Sequence, residues 1–187
     1  MHGLDRALRF VLPLGILALL ATVLLVGWFA QPDRYAQGLS VPQPIPYSHA
    51  LHAGTLKIPC LHCHSGANRS RMAGVPAVSL CMNCHQVTRT DRPAIQRLAE
   101  LQRTGQPLVW NRVHAMPDHV YFDHGPHVAA GVACQTCHGE VQTMSQVSLR
   151  MSMRMGNCLG CHRDPKAALP KDSPIRKGPE HCNACHR

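Results

Sequence analysis

Cysteine and histidine recur along this chain at one fixed spacing. All ten cysteines belong to pairs separated by two residues, and a histidine directly follows each pair. We number the occurrences as sites 1 to 5 in chain order: Cys60, Cys63 and His64; Cys81, Cys84 and His85; Cys134, Cys137 and His138; Cys158, Cys161 and His162; Cys182, Cys185 and His186. Two thiols at this spacing can form thioethers to both vinyl groups of one porphyrin, and the adjacent histidine then ligates the iron. The sequence therefore predicts five covalent haem c groups, with these five histidines as proximal ligands.

Paired cysteines also serve zinc sites, redox-active dithiols and disulfides. Those uses do not require a histidine after every pair, and this chain has no cysteine outside the pairs. Haem attachment is therefore the interpretation that accounts for all ten cysteines and for the histidines beside them.

Two His-x-x-His pairs, one before site 1 and one before site 3, are candidates for distal iron ligands. The first pair is His49 and His52, and the second pair is His124 and His127. Residues three apart on a helical turn project to the same side, so the two rings of a pair can reach different irons. Low-spin haem needs a sixth ligand, normally His or Met. We expect all four rings to be distal ligands, one of each pair for its own site and the other for a neighbouring site.

The fifth distal ligand is open among four residues. His114 is the first choice, and His119 lies in the same loop-like stretch. Met144 and Met155 flank site 4, and a methionine ligand would raise the potential of its haem relative to bis-histidine ligation. The ordinary role of most methionines is a gap-filling apolar contact.

The repetition of pairs and motifs predicts two similar units, the second with one extra site. The expected elements are a two-haem unit at 47–90, a connecting helix at 92–103 and a three-haem unit at 110–187. Asp91 is the predicted cap of that helix, since Pro93 suits its first turn and Gly105 its end. With 14 Gly and 15 Pro in the chain, the fold class is predicted as mainly helical and irregular, with few or no strands.

An uncharged segment at residues 10–30 is long enough to cross a bilayer as a helix. A cleaved signal peptide is the alternative, but its apolar region is usually shorter, about 7 to 15 residues. Arg6 and Arg9 precede the segment, which favours a cytoplasmic location for residues 1–9. The sequence therefore predicts a single-pass anchor in the bacterial inner membrane.

The chain beyond the anchor is expected on the periplasmic side, because c-type haem is attached there. Residues 31–46 are proline-rich and predict an extended linker. Residues 47–187 then form the haem domain. Aromatic residues make up only 4% of the chain, so folding is expected to depend on the apolar porphyrins.

The formal net charge of +9 does not by itself indicate nucleic-acid binding. Two propionates on each of five haems would bring roughly ten negative charges, which offsets the charge of the chain. Arginine and lysine near the haems are natural propionate partners. No aromatic–basic pattern supports nucleic-acid recognition, so we expect no nucleic-acid partner.

The motifs and the segments between them together resemble one branch of the class III multihaem cytochromes c, the membrane-anchored pentahaem subunits of Alternative Complex III. The resemblance covers nearly the whole chain. Besides the anchor helix, it rests on Pro-Tyr-Ser-His49-x-x-His52-Ala-Gly, Arg69-Ser-Arg-Met-Ala-Gly74-Val-Pro, Val113-His114, Tyr121-Phe-x-His124-x-x-His127, Cys137-His138-Gly139-Glu-Val and Met155-Gly.

That resemblance implies a place in a quinol:electron acceptor oxidoreductase. Quinol would be oxidised in a polytopic subunit, and electrons would pass through an iron–sulfur subunit to this chain. A monohaem cytochrome c or a terminal oxidase would be the acceptor. The chain would be an electron-transfer subunit rather than an enzyme, with no catalytic residue.

Two other functions compete with this relay. A self-sufficient membrane-anchored quinol dehydrogenase would need an open or weakly ligated iron at the membrane surface. A nitrite- or hydroxylamine-type haem enzyme would need a vacant iron site. The supply of histidines exceeds the number of distal ligands required, and this favours the relay over both.

Overall fold

The first compact unit of the protein is a helical run at the N-terminus. A computed structural model describes residues 2–30 and 37–187, which fall into two compact units, Met1–Ala36 and Gln37–Arg187. The run consists of α1 (His2–Arg6), a π-helical segment (Ala7–Val11) and α2 (Leu12–Phe29).

The stretch Ala7–Phe29 has the length and composition of a membrane-spanning helix. It is 23 residues long, its mean hydropathy is 2.6, and none of its most apolar window is buried. Apolar side chains on all sides of a helix suit a lipid environment, since no single face is reserved for a protein core. Pro13 lies inside this continuous run, directly after the π-helical segment, and proline and π-helical turns are both common causes of local irregularity in a helix. The helix is compatible with the predicted single-pass anchor at residues 10–30.

The second unit is built from short helices joined by irregular chain. Its α-helices are α3 (Cys60–Cys63), α4 (Val78–His85), α5 (Pro93–Thr104), α6 (His124–Ala129), α7 (Cys134–His138) and α8 (Met155–Arg163). Over residues 2–30 and 37–187 there is no β-strand, only the isolated antiparallel bridges Ser40–Ser148 and Val120–His186. The predicted fold class, mainly helical and irregular, is confirmed.

The connecting helix α5 lies within a residue of its predicted bounds, but the predicted cap is wrong. Arg92, not Asp91, occupies the N-cap position, and its side chain makes no capping hydrogen bond. Pro93 disfavours helical backbone in the residue before it, so Arg92 is extended and the helix starts at the proline. At the other end Gly105 adopts a left-handed conformation with φ +67°, which glycine tolerates without strain.

The apolar core of the second unit is small. Leu98 and Leu101 on α5 pack with Val78 on α4 and with Ile45, and each of these four is at least 91% buried. No side chain of the described residues is less than 2% exposed. A chain of this length with so few buried apolar groups needs another apolar body to pack against.

Residues 37–46 belong to the second unit and pack against the rest of it. The amide of Gly38 donates a hydrogen bond of 2.7 Å to the carbonyl of Leu149, and Ile45 is part of the core. The remainder of the predicted linker, residues 31–36, lies outside the described residues.

Candidate haem-attachment sites

Short helical turns present the cysteines of the sites. In each of sites 1 to 4 both cysteines lie on one helix. In site 5, Cys182 begins a 3₁₀ turn, Cys182–Ala184, and Cys185 directly follows it. In α3 and α7 the residue before the first cysteine is extended, so the helix begins at the motif itself. All ten thiols are free and exposed or half-buried. They are therefore accessible for thioether formation.

Pairs of histidine rings lie at the spacing that bis-histidine ligation requires. Two metal–nitrogen bonds of about 2 Å and two nitrogen-to-centroid distances of about 1.1 Å put the centroids of opposed imidazoles roughly 6.2 Å apart. At site 1 the rings of His49 and His64 are 6.4 Å apart and nearly parallel, at 4°. At site 3 the rings of His124 and His138 are 6.3 Å apart, also at 4°. The residues present therefore fit a metal between each pair of rings.

The second member of each pair faces the next site along the chain. At site 2 the rings of His52 and His85 are 6.3 Å apart, with planes at 61°. At site 4 the rings of His127 and His162 are 6.0 Å apart, with planes at 31°. Ligands on opposite sides of an iron need not have parallel planes, so the spacing is the informative quantity. Each His-x-x-His pair therefore joins two neighbouring sites of its own unit.

The ring opposite site 5 belongs to His119. It lies 5.6 Å from the ring of His186, with planes at 15°. The two segments are held side by side, because the amide of Tyr121 donates to the carbonyl of Cys185 at 2.7 Å and Val120 forms a β-bridge with His186. Sequence reasoning ranked His119 below His114, and no local spacing could have linked it to a site 67 residues away.

The three other candidates for the fifth distal ligand lie elsewhere. The His114 ring contacts the ring of His138 edge-on, with centroids 4.5 Å apart at 80°, although His124 already opposes that ring. Met144 is buried, and its carbonyl accepts a hydrogen bond from Ala50. Met155 is 60% exposed at the start of α8.

Most of the opposed rings are fixed in the tautomer that ligates a metal. The Nδ1–H of His64 donates to the carbonyl of Gly74, and that of His162 to the carbonyl of Pro179, both at 2.6 Å. The same bond, at 2.7–3.2 Å, links His52 to Ser48, His85 to Thr88, His124 to Arg71, His127 to Asp123 and His186 to His119. Because a carbonyl only accepts, Nδ1 carries the hydrogen and Nε2 keeps its lone pair for iron.

Burial keeps two of the other rings neutral. It lowers the pKa of His49 to about 4, with smaller contributions from His64 and His52. Burial also lowers the pKa of His138 to about 4, with added repulsion from His114 and other rings. The Nδ1 of His49 is buried and has no hydrogen-bond partner in the part of the chain that the structure describes. A neutral imidazole is the form that binds a metal, so this environment suits ligation.

One aromatic side chain supports each His-x-x-His pair. The ring of Tyr47 meets that of His49 edge-on at 4.8 Å and stacks on that of His52 at 4.4 Å. The ring of Phe122 meets that of His124 edge-on at 4.8 Å and lies tilted by 33° against that of His127 at 4.7 Å. An aromatic ring therefore lies beside both histidines of each pair, where it restricts the rotation of the histidine rings.

Contacts between the motifs give the sites a linear order in space. Sites 2 and 1 share the first pair, and sites 3 and 4 share the second. Sites 1 and 3 meet where the thiol of Cys60 lies beside that of Cys134, whose pKa is raised by burial and by this neighbour. Sites 4 and 5 meet at Cys158, whose pKa is raised by burial and then by Cys185. The resulting order is 2, 1, 3, 4, 5.

Comparisons with known proteins agree with this architecture. Residues 120–187 match the family described as cytochrome c7 and related cytochrome c. The chain is 26% identical to the protein named menaquinone reductase, multiheme cytochrome c subunit, of Nitratidesulfovibrio vulgaris strain Hildenborough, over 90% of this chain and 87% of that relative. The five motifs and the mainly helical fold of this chain are those expected of a multihaem cytochrome c, the class to which both matches point. In that class, haem c is covalently bound and serves electron transport.

Proposed function

We propose that this chain is the electron-transfer subunit of a membrane-bound quinol oxidoreductase complex and carries haem c at all five sites. The observation that supports it best is the set of five opposed histidine pairs at 5.6–6.4 Å, one pair for each motif. When bound, haem c supplies reversible one-electron exchange at its iron. The cysteines of each site would hold the porphyrin covalently, and its histidine would be the proximal ligand.

The proposed distal ligands are His49, His52, His124, His127 and His119, with His119 in place of His114. Two rings facing each other across each site leave no open position for a substrate. In the proposed relay, the residues of this chain therefore hold ten ligand rings, exclude substrate from the metal and keep neighbouring sites close to one another. This supports a relay over a haem enzyme with a vacant iron position.

The proposed location is the bacterial inner membrane, with the second unit on the periplasmic side. The helix Ala7–Phe29 would be the anchor, and its N-terminal end would lie on the cytoplasmic side together with the residues before it. Arg6 and Arg9 near the start of the helix support this orientation.

The proposed partners follow from the resemblance to Alternative Complex III. Electrons would come from a polytopic quinol-oxidising subunit through an iron–sulfur subunit. They would leave to a monohaem cytochrome c or a terminal oxidase. A second candidate is the reverse direction, with electrons delivered to quinone, which is favoured by the name of the 26% identical relative, a menaquinone reductase subunit.

Quinol-driven haem reduction tests the relay. A menaquinol or ubiquinol analogue is added to the isolated subunit in detergent and to the gently solubilised native assembly, and haem absorbance is followed. We expect only the assembly to be reduced rapidly, because the proposed quinol site lies in a partner subunit. Comparable rates in both samples would instead make the chain a self-sufficient quinol dehydrogenase. Quinone reduction by the pre-reduced assembly, without the forward reaction, would favour the second candidate.

The number of haems is a separate prediction. Intact mass spectrometry of the mature protein should give the mass of the chain plus five haems. Replacing Cys182 and Cys185 together with alanine should remove one haem and leave four, because site 5 lies at one end of the order of sites. The matched control replaces Cys134 and Cys137, whose central position predicts a larger loss of folded protein. Fewer than five haems in the unaltered protein would contradict the proposal.

A further inference from the structure

The proximal ring of site 3 differs from the other four in its surroundings. His64, His85, His162 and His186 each donate Nδ1–H to a backbone carbonyl at 2.6–3.2 Å. Among the described residues, His138 makes no such bond. A ligand imidazole normally gives this hydrogen to a carbonyl, a carboxylate or water, so its partner needs to be identified.

His114 is the polar group in contact with that ring. The centroids of the His114 and His138 rings are 4.5 Å apart with planes at 80°. The Nε2 of His114 is buried and has no hydrogen-bond partner within the described residues. A buried nitrogen that accepts no hydrogen bond is costly, and the ring beside it has a hydrogen to give.

The loop around His114 is anchored on the first half of the second unit. Asn111 donates its side-chain amide to the carbonyl of Pro42 at 2.6 Å, and its backbone amide donates to the side chain of Gln43 at 3.0 Å. Trp110 packs edge-on against Tyr47 with ring centroids 6.2 Å apart. His114 follows Asn111 by three residues and lies in space beside His138 of site 3. The anchored loop therefore holds His114 at that site.

We propose that His114 is a positioning residue whose Nε2 accepts the Nδ1–H of His138 in the mature protein. The inference rests on the proposed function, since it takes His138 as the proximal ligand of site 3. The two rings are already in contact, and the proposed bond requires the Nδ1 of His138 to face the Nε2 of His114. His114 would then fix the orientation of His138, as the carbonyls do for the other four proximal rings.

The acceptor also changes the basicity of the ligand. An imidazole nitrogen is a stronger base than a peptide carbonyl, so it draws the Nδ1 hydrogen more strongly and makes His138 a better electron donor. A more basic ligand stabilises oxidised iron and lowers its reduction potential. Site 3 lies in the middle of the order 2, 1, 3, 4, 5. His114 would therefore set a lower potential at the central site.

The test is a redox titration of the holoprotein with His114→Phe, followed by visible absorbance and by EPR of the oxidised irons. Phenylalanine keeps a flat ring but has no acceptor. We expect the midpoint potential of one haem in five to rise by about 59 mV, which corresponds to a tenfold change in the equilibrium constant of a one-electron reduction. The His114→Gln variant should shift it less, because the amide oxygen still accepts, and all haems should stay low-spin.

His62→Phe is the matched control. His62 is an exposed histidine between the cysteines of site 1, and its replacement should move no midpoint. Unchanged midpoints in both His114 variants would overturn the proposal, and so would a new high-spin haem, which would make His114 a distal ligand. If His114→Phe does not mature, the comparison of His114→Gln with the unaltered protein decides.

The unaltered protein is measured first. If it does not contain five low-spin haems, the ligand assignment of the proposed function fails, independently of any shift caused by His114. If it does contain them, the variants test His114 alone.

Discussion

Replacing His119 with alanine is expected to leave one of the five haems high-spin while the other four stay low-spin. His119 is the ring opposite His186, at 5.6 Å and 15°, and among the described residues no other histidine ring faces that site. Loss of the ring would therefore leave the sixth position of that iron to water or to nothing.

EPR of the oxidised protein and carbon monoxide binding to the reduced protein measure the effect. One high-spin signal and one carbon monoxide per chain are expected for His119→Ala. His114→Ala is the matched control from the same loop, and it should bind no carbon monoxide. If the two variants exchange these results, His114 is the fifth ligand and the pairing of His119 with His186 is only a packing contact.

Without haem attachment, the chain beyond the anchor is expected to have no stable tertiary structure. Its buried apolar side chains are few, and the principal cluster consists of Ile45, Val78, Leu98 and Leu101. Ordering the backbone and side chains of a domain this size opposes folding strongly, and such a cluster cannot offset that cost. Five porphyrins would supply the missing apolar surface and, through two ligand rings each, tie distant segments together.

Expression with and without the haem-attachment machinery of the host tests this dependence. The mature chain should give structured near-ultraviolet circular dichroism and a cooperative denaturant transition. The chain without haem should lose both, although some helical signal should persist in the segment Ala7–Phe29 in detergent. Residues 37–187 expressed alone are the control that removes this segment. A cooperative transition in that fragment without haem would show that the protein core suffices.

Ligand positions separate what local sequence can predict from what it cannot. The two histidines of each His-x-x-His pair are three residues apart, so one helical turn places both rings on the same side. The aromatic residue before each pair contacts both rings. Their candidate role as ligands could be predicted from spacing for this reason. His119 meets its partner only because the chain at Val120 and Tyr121 returns to pair with the last motif.

The ends of α5 show the same division on a smaller scale. Pro93 and Gly105 predicted the helix, because both act within a few residues. Asp91 had the right chemistry for a cap, but the steric effect of Pro93 on the residue before it gave that position to Arg92. Local composition therefore predicted that a helix forms, and backbone sterics decided where it starts.

The sequence by itself predicted the class of this protein, its covalent attachment chemistry and its candidate membrane helix. Each of these depends on residues close together along the chain: the Cys-x-x-Cys-His spacing and an uncharged stretch long enough to cross a bilayer. Only the tertiary structure decided which ring faces which motif, that His114 lies against His138, and that the sites follow the order 2, 1, 3, 4, 5. Those features depend on contacts between segments far apart in the chain, and no local spacing encodes them.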